Sequence, residues 1–181
     1  MLKFFLVTIF FFITLNSNAD VKKKIIQNLK NTKNLDFKFE QNINGKIERG
    51  DCFIKYPKKI FCQYDLGNKK IMVSNGKSLV IKTLSSYYIY PLARTPLNLI
   101  LDKEYLLKKI RGLKLRNIDE KYINFSFIEN DNKINIFFDK NTFNLIGWQT
   151  IDIYQNLIIT YLFSITKNEN LNNNLFILPN R

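Results

Sequence analysis

Two cysteines, a short group of carboxylates and no histidine are what this chain of 181 residues offers toward chemistry. Without histidine, Ser-His and Cys-His nucleophilic arrangements are excluded. With only two cysteines besides, a metal site lacks its usual nitrogen and sulfur donors. Glu40, Glu48 and Asp51 fall within one expected hairpin, and paired carboxylates are the machinery of glycoside cleavage. They fall on the face opposite Phe39 or among lysines, so they read as solvated surface charge. No catalytic residue, metal or cofactor is expected, and the chain does not read as an enzyme. Cys52 and Cys62 stand five residues to either side of Pro57 and would oppose each other across a hairpin. Opposed residues of an antiparallel pair approach within disulfide range. The alternatives are that bond or two small buried thiols.

Export bears on the choice, because disulfides persist in oxidising compartments. Lys3 precedes an apolar run from Phe4 to Ile13, and Ser17 and Ala19 follow as small residues. Charge, short apolar core and small residues are the parts of a secretory signal, here residues 1–19, with cleavage after Ala19 and a mature chain from Asp20. The run is too short to span a bilayer, which takes about 20 apolar residues. The mature chain is therefore expected to be exported. The formal charge is +13. Basic chains bind nucleic acid or anionic membranes, but here the lysines are scattered through strand positions and only residues 22–24 are dense. Nucleic acid is not an expected partner of an exported protein.

The positioning elements follow from periodicity. Val21, Ile25, Ile26 and Leu29 share one side of a helix over residues 21–31, with Asp20 as its cap. Leu35, Phe37 and Phe39 alternate on a strand. Residues 47–56 and 60–64 form a hairpin about Pro57, and residues 71–81 a second, whose Asn75-Gly76 suits a type I′ turn. Three tyrosines mark a strand over residues 86–90. Thr95-Pro96 opens a short apolar helix over residues 97–101, with a helical turn or two over 103–111. Hairpins then continue through residues 113–165, and a last apolar helical turn covers 171–176. This is a mainly β chain of ten or eleven strands in a meander, which curls as it lengthens. Three short helices cannot fill the concave face of so long a sheet, which leaves an apolar cavity. The alternative is that aromatics such as Phe125, Phe127, Phe137 and Phe138 pack a tight core.

Several stretches, in order, resemble the periplasmic outer-membrane lipoprotein carrier family, LolA. They are Phe39-Glu40-Gln41, the strand from Gly50 ending at Pro57, the hairpin Val73-Ser74-Asn75-Gly76-Lys77-Ser78-Leu79, Thr95-Pro96-Leu97, the late strand from Leu145 to Asp152, and Leu175-Phe176 before Pro179. The late strand is similar to that of the branch without a separate outer-membrane receptor. The resemblance implies an unclosed antiparallel half-barrel whose concave face is capped by three short helices. It also implies a carrier that takes lipoproteins by their acyl chains from an inner-membrane lipoprotein-releasing ABC transporter toward the outer membrane, with an acceptor there as a further partner. Such a carrier acts as a monomer. A lipid- or lipoprotein-binding sensor of envelope stress shares the architecture and is the alternative.

On that reading the acyl chains lie against Phe37, Phe39, Ile54, Tyr56, Ile60, Tyr64, Leu97, Ile100, Leu101 and Trp148. Ile25, Leu29 and Phe176 belong to the lid helices. The family carries an arginine just before the strand-ending proline, where it latches the lid. Tyr56 stands there in this chain and brings fewer donors and no charge, so Arg94 or Lys58 could substitute. The family's tryptophan after the turn is replaced by Cys62.

Overall fold

A computed structural model describes residues 16–118, 121–129, 132–152 and 155–181. The expected signal segment falls mostly on residues 1–15, outside the described residues. Helix α1 (Asn16–Asn31) is followed by six strands, β1 (Asn34–Ile43), β2 (Lys46–Lys55), β3 (Lys59–Tyr64), β4 (Ile71–Asn75), β5 (Ser78–Lys82) and β6 (Tyr87–Pro91). Helices α2 (Leu97–Leu101) and α3 (Lys103–Gly112) come next. Five strands complete the sheet: β7 (Arg116–Ile118), β8 (Tyr122–Glu129), β9 (Asn132–Asp139), β10 (Leu145–Ile151) and β11 (Leu157–Lys167). All pair antiparallel into one 11-stranded sheet ordered β6-β5-β4-β3-β2-β1-β11-β10-β9-β8-β7. The first and last strands of the described chain thus meet in the middle, and β6 and β7 remain as edges, so the sheet curls without closing.

Side-chain alternation sorts the strands into two faces. Leu35, Phe37 and Phe39 of β1, Cys52 and Ile54 of β2 and Ile60, Cys62 and Tyr64 of β3 share the concave face, where they join one core with Phe125, Ile136 and Phe138 from the other half of the sheet. Three helices cover that face through Ile25 and Leu29 of α1, Ile100 and Leu101 of α2, and Leu106, Leu107 and Ile110 of α3. The third is α3, not the C-terminal segment. Asp20 lies inside α1, paired with Lys24 at 2.7 Å, and does not cap it.

Turn chemistry sets the register. Asn44 and Gly45 both take positive φ, the pattern of the I′ turn that closes β1 on β2. At the β4–β5 turn only Gly76 does so, as the first of two central residues. That is the II′ pattern and corrects the I′ expectation there. Asn75 stays in the strand, and its side-chain oxygen accepts from the amides of Lys77 and Ser78. Cys52 and Cys62 face each other in register with Cα atoms 4.1 Å apart and are joined by a disulfide.

Candidate functional site

The helices fill one end of the concave face and leave the other open. Along β1 the first three inward side chains, Leu35, Phe37 and Phe39, are buried under helices, while the next two, Gln41 and Ile43, line a cavity of about 290 Å³. One wall is Tyr64, Met72, Leu79, Ile81 and Tyr90 from β3 to β6, and the opposite wall is Trp148, Thr150, Ile151 and Ile158 from β10 and β11. Thr95, Pro96 and Leu97, at the start of α2, reach over it. The volume is near the lower end of the range for small-molecule sites, about 300–1,000 Å³. Its lining is mostly aliphatic and aromatic.

One corner is charged. Glu48 faces inward two residues before Gly50 and is 3% exposed, which corrects its reading as solvated surface charge. One carboxylate oxygen takes Lys70 Nζ at 2.5 Å and the other Lys46 Nζ at 3.1 Å. Burial would push the Glu48 carboxyl up, but hydrogen bonds and charge from Lys70 and Lys46 outweigh it and hold its pKa below the ordinary value. Lys70 itself lines the cavity, with Nζ 4.1 Å from the centroid of the Tyr64 ring. The Tyr64 hydroxyl donates to Gln41 Oε1 at 3.4 Å, and Gln41 Nε2 donates to Thr160 Oγ1 at 2.9 Å. Desolvation raises the Tyr64 pKa and keeps the phenol neutral.

Of the residues expected against acyl chains, Tyr64, Leu97 and Trp148 line the cavity. Phe37, Phe39, Ile54, Ile60, Ile100 and Leu101 do not; all are at most 2% exposed and pack with one another in the core. Alternation identifies their face correctly, but position along the strand decides whether a helix covers them. Lys70, Glu48 and Gln41 were missed, because polar residues at strand ends look like solvated ones. The available signal was parity: Glu48 and Gln41 are in phase with Cys52 and Phe39.

The family model described as outer membrane lipoprotein carrier protein LolA matches residues 16–178. The chain belongs to this family. Curated proteins yield no match. Among solved structures, this LolA-family chain is similar in fold to a chain of the MucA/MucB complex of Pseudomonas aeruginosa, with TM-score 0.49, 9% identity and coverage of 90% of this chain and 61% of that one. It is similar to lipoprotein LppX of Mycobacterium tuberculosis, with TM-score 0.48, 12% identity and coverage of 86% and 100%. A LolA superfamily protein of Nitrosomonas europaea gives TM-score 0.46, 9% identity and coverage of 89% and 97%.

The helix cover of this LolA-family protein is held at the β2–β3 turn by Lys58, not by Tyr56. Lys58 donates its backbone N–H to Leu101 O at 3.0 Å, and its ammonium meets Asp102 at 3.1 Å. Tyr56 instead lies half-buried under Lys103, and its buried hydroxyl has no hydrogen-bond partner among the described residues. Arg94 is exposed. α1 and α3 are tied to each other, Lys22 Nζ reaching Leu113 O at 2.6 Å and Lys103 Nζ reaching Thr32 O at 2.9 Å.

Phe176 is no part of that cover. It is 3% exposed in a 3-10 turn (Asn173–Phe176) that packs on β3 and β4, yet it lies outside the concave-face core, as do the buried Val73 and Val80. Lys55, Lys82 and Tyr87 all point to the convex face by alternation, and each holds this segment: Lys55 through Asn173, Lys82 through Asn180 O and Tyr87 under Arg181. The C-terminal segment therefore straps the back of the sheet.

Proposed function

We propose that this LolA-family protein is a periplasmic carrier that shelters lipoprotein acyl chains between the inner and outer membranes. The observation that carries the reading is the mostly apolar cavity at the uncovered end of the half-barrel, roofed only by the start of α2. A signal peptide cleaved after Ala19 would place the mature chain in the periplasm, and an inner-membrane lipoprotein-releasing ABC transporter would load it.

Burying about 15 methylenes at ~0.8 kcal/mol each is worth roughly 12 kcal/mol against water. A bilayer offers the same chain a comparable gain, so loading draws its drive from the transporter. Unloading needs a cavity that holds lipid less tightly than the acceptor does. Displacing Leu97 and the start of α2 enlarges the cavity for cargo, and their return to the apolar walls expels it. Full loading therefore costs the packing of α2 and favours release.

Mass spectrometry of native, gently purified protein tests the reading. Acyl lipid or lipoprotein should co-purify with the wild type and be lost from Leu97→Glu. Turnover of an ester or glycoside, with no bound lipid, would overturn it.

A further inference from the structure

The cavity has an apolar barrel and one cationic corner, and the corner is not used up by the protein. Glu48 is engaged on both oxygens by two lysines, which leaves the group of three with a net positive charge. Lys70 is the member of that group that lines the cavity. One of its three N–H bonds goes to Glu48, and the Tyr64 ring face steadies the ammonium. Several of the other polar groups nearby are already engaged. Tyr64 donates to Gln41 and Gln41 to Thr160. Thr95 donates to Leu92 O, and the Asp152 carboxylate accepts from the backbone and side chain of Asn156. Lys70 therefore brings unspent donor capacity to the cavity, carried by a cation only 17% exposed, and a charge-assisted hydrogen bond gains strength as water is excluded.

Resting on the lipid-binding reading, we propose that Lys70 is the head-group anchor of the cavity. It receives the carbonyl or carboxylate oxygen at the head of an acyl chain whose alkyl part lies along Ile43, Met72, Leu79, Ile81 and Leu97. The ligand class is thus an acyl group with an acceptor oxygen at its head, not an alkyl chain as such. Two sources present that chemistry, the ester-linked acyl groups of a lipidated cysteine and a free fatty acid.

The test is displacement of N-phenyl-1-naphthylamine from purified protein by three ligands: a diacylglyceryl-cysteine lipopeptide, palmitate and hexadecyltrimethylammonium. Wild type should prefer the lipopeptide, palmitate or both over the cation by about tenfold or more, and Lys70→Met should bring the preference to within about threefold. Because Glu48 loses a partner in that variant, the double variant Glu48→Gln/Lys70→Met is measured beside it. A loss confined to palmitate supports the anchor with a free carboxylate as its ligand. A loss that includes the lipopeptide supports it with an acyl carbonyl. A wild type without preference for either acyl ligand over the cation overturns the anchor without recourse to variants, as does a preference unchanged in both variants. If neither acyl ligand nor the cation displaces the probe, the lipid-binding reading falls and the anchor with it.

Discussion

Phe39 and Tyr64 meet edge to face, ring centroids 5.0 Å apart, across Gly50, which pairs with both of them on the strand between. The glycine makes the meeting possible, since a Cβ there would overlap the carbonyl oxygen of Gln63 and crowd the Cα of Tyr64. The contact also marks the boundary of the site: both rings belong to the core, and of the two only Tyr64 also lines the cavity. Gly50→Ala should therefore cost at least about 2 kcal/mol by forced backbone displacement and loosen that wall. Urea unfolding and near-ultraviolet circular dichroism report both effects, and an unchanged midpoint would contradict the crowding.

The same boundary separates two glutamate substitutions. Phe39→Glu places a charge in a fully packed core and should abolish folding, at a cost of several kcal/mol. Leu97→Glu places it at a half-exposed cavity roof and should cost about 1 kcal/mol or less while removing lipid binding. Thermal melts beside lipid capture check the pair. Equal loss of stability in both would mean that Leu97 is core.

The disulfide cross-links residues ten apart within one hairpin. Constraint of the unfolded chain over so short a loop is worth about 2–3 kcal/mol. Cys52→Ala/Cys62→Ala should lower stability by that amount and leave the hairpin register intact, because Ile54, Ile60 and the flanking strands still define it. Denaturation with and without reductant measures the difference, and wild type should fall to the level of the variant.

Glu48 gives stability a pH dependence whose sign is fixed. Its pKa in the folded protein lies below the ordinary 4.5, through the hydrogen bonds and charges of Lys70 and Lys46 that outweigh burial. The folded state thus binds its proton less readily than the unfolded chain. The stabilisation is complete above about pH 5 and fades as pH falls through 4.5 and below the folded value. Between neutral pH and about pH 3, wild type should lose more stability than Glu48→Gln. Parallel losses in urea titrations would remove Glu48 from the acid response.

Phe176→Ala should lower stability by about 3 kcal/mol, as for other buried phenylalanines. Because the strap lies behind the sheet, lipid affinity should stay within about twofold of wild type under native conditions. A large fall in affinity with the fold intact would place the C-terminal segment on the cavity side.

The order of hairpins, the sidedness of Leu35, Phe37 and Phe39, the opposition of Cys52 to Cys62 and the helix start at Pro96 are local properties, written in alternation and turn residues. The sequence determined these by itself. It also indicated the excess of apolar sheet over helix that implies a hollow. Where along each strand the hollow begins depended on how far α1, α2 and α3 reach, and no local pattern encodes that reach. Ile54 and Tyr64 therefore looked alike until packing enclosed both and left only Tyr64 lining the cavity. The face taken by residues 171–181 was equally undetermined, since an apolar turn fits either side of a curved sheet; tethers from Lys55, Lys82 and Tyr87 decided it. Glu48 needed both levels, with parity turning it inward and only the approach of Lys70, from the loop between β3 and β4, making its burial affordable.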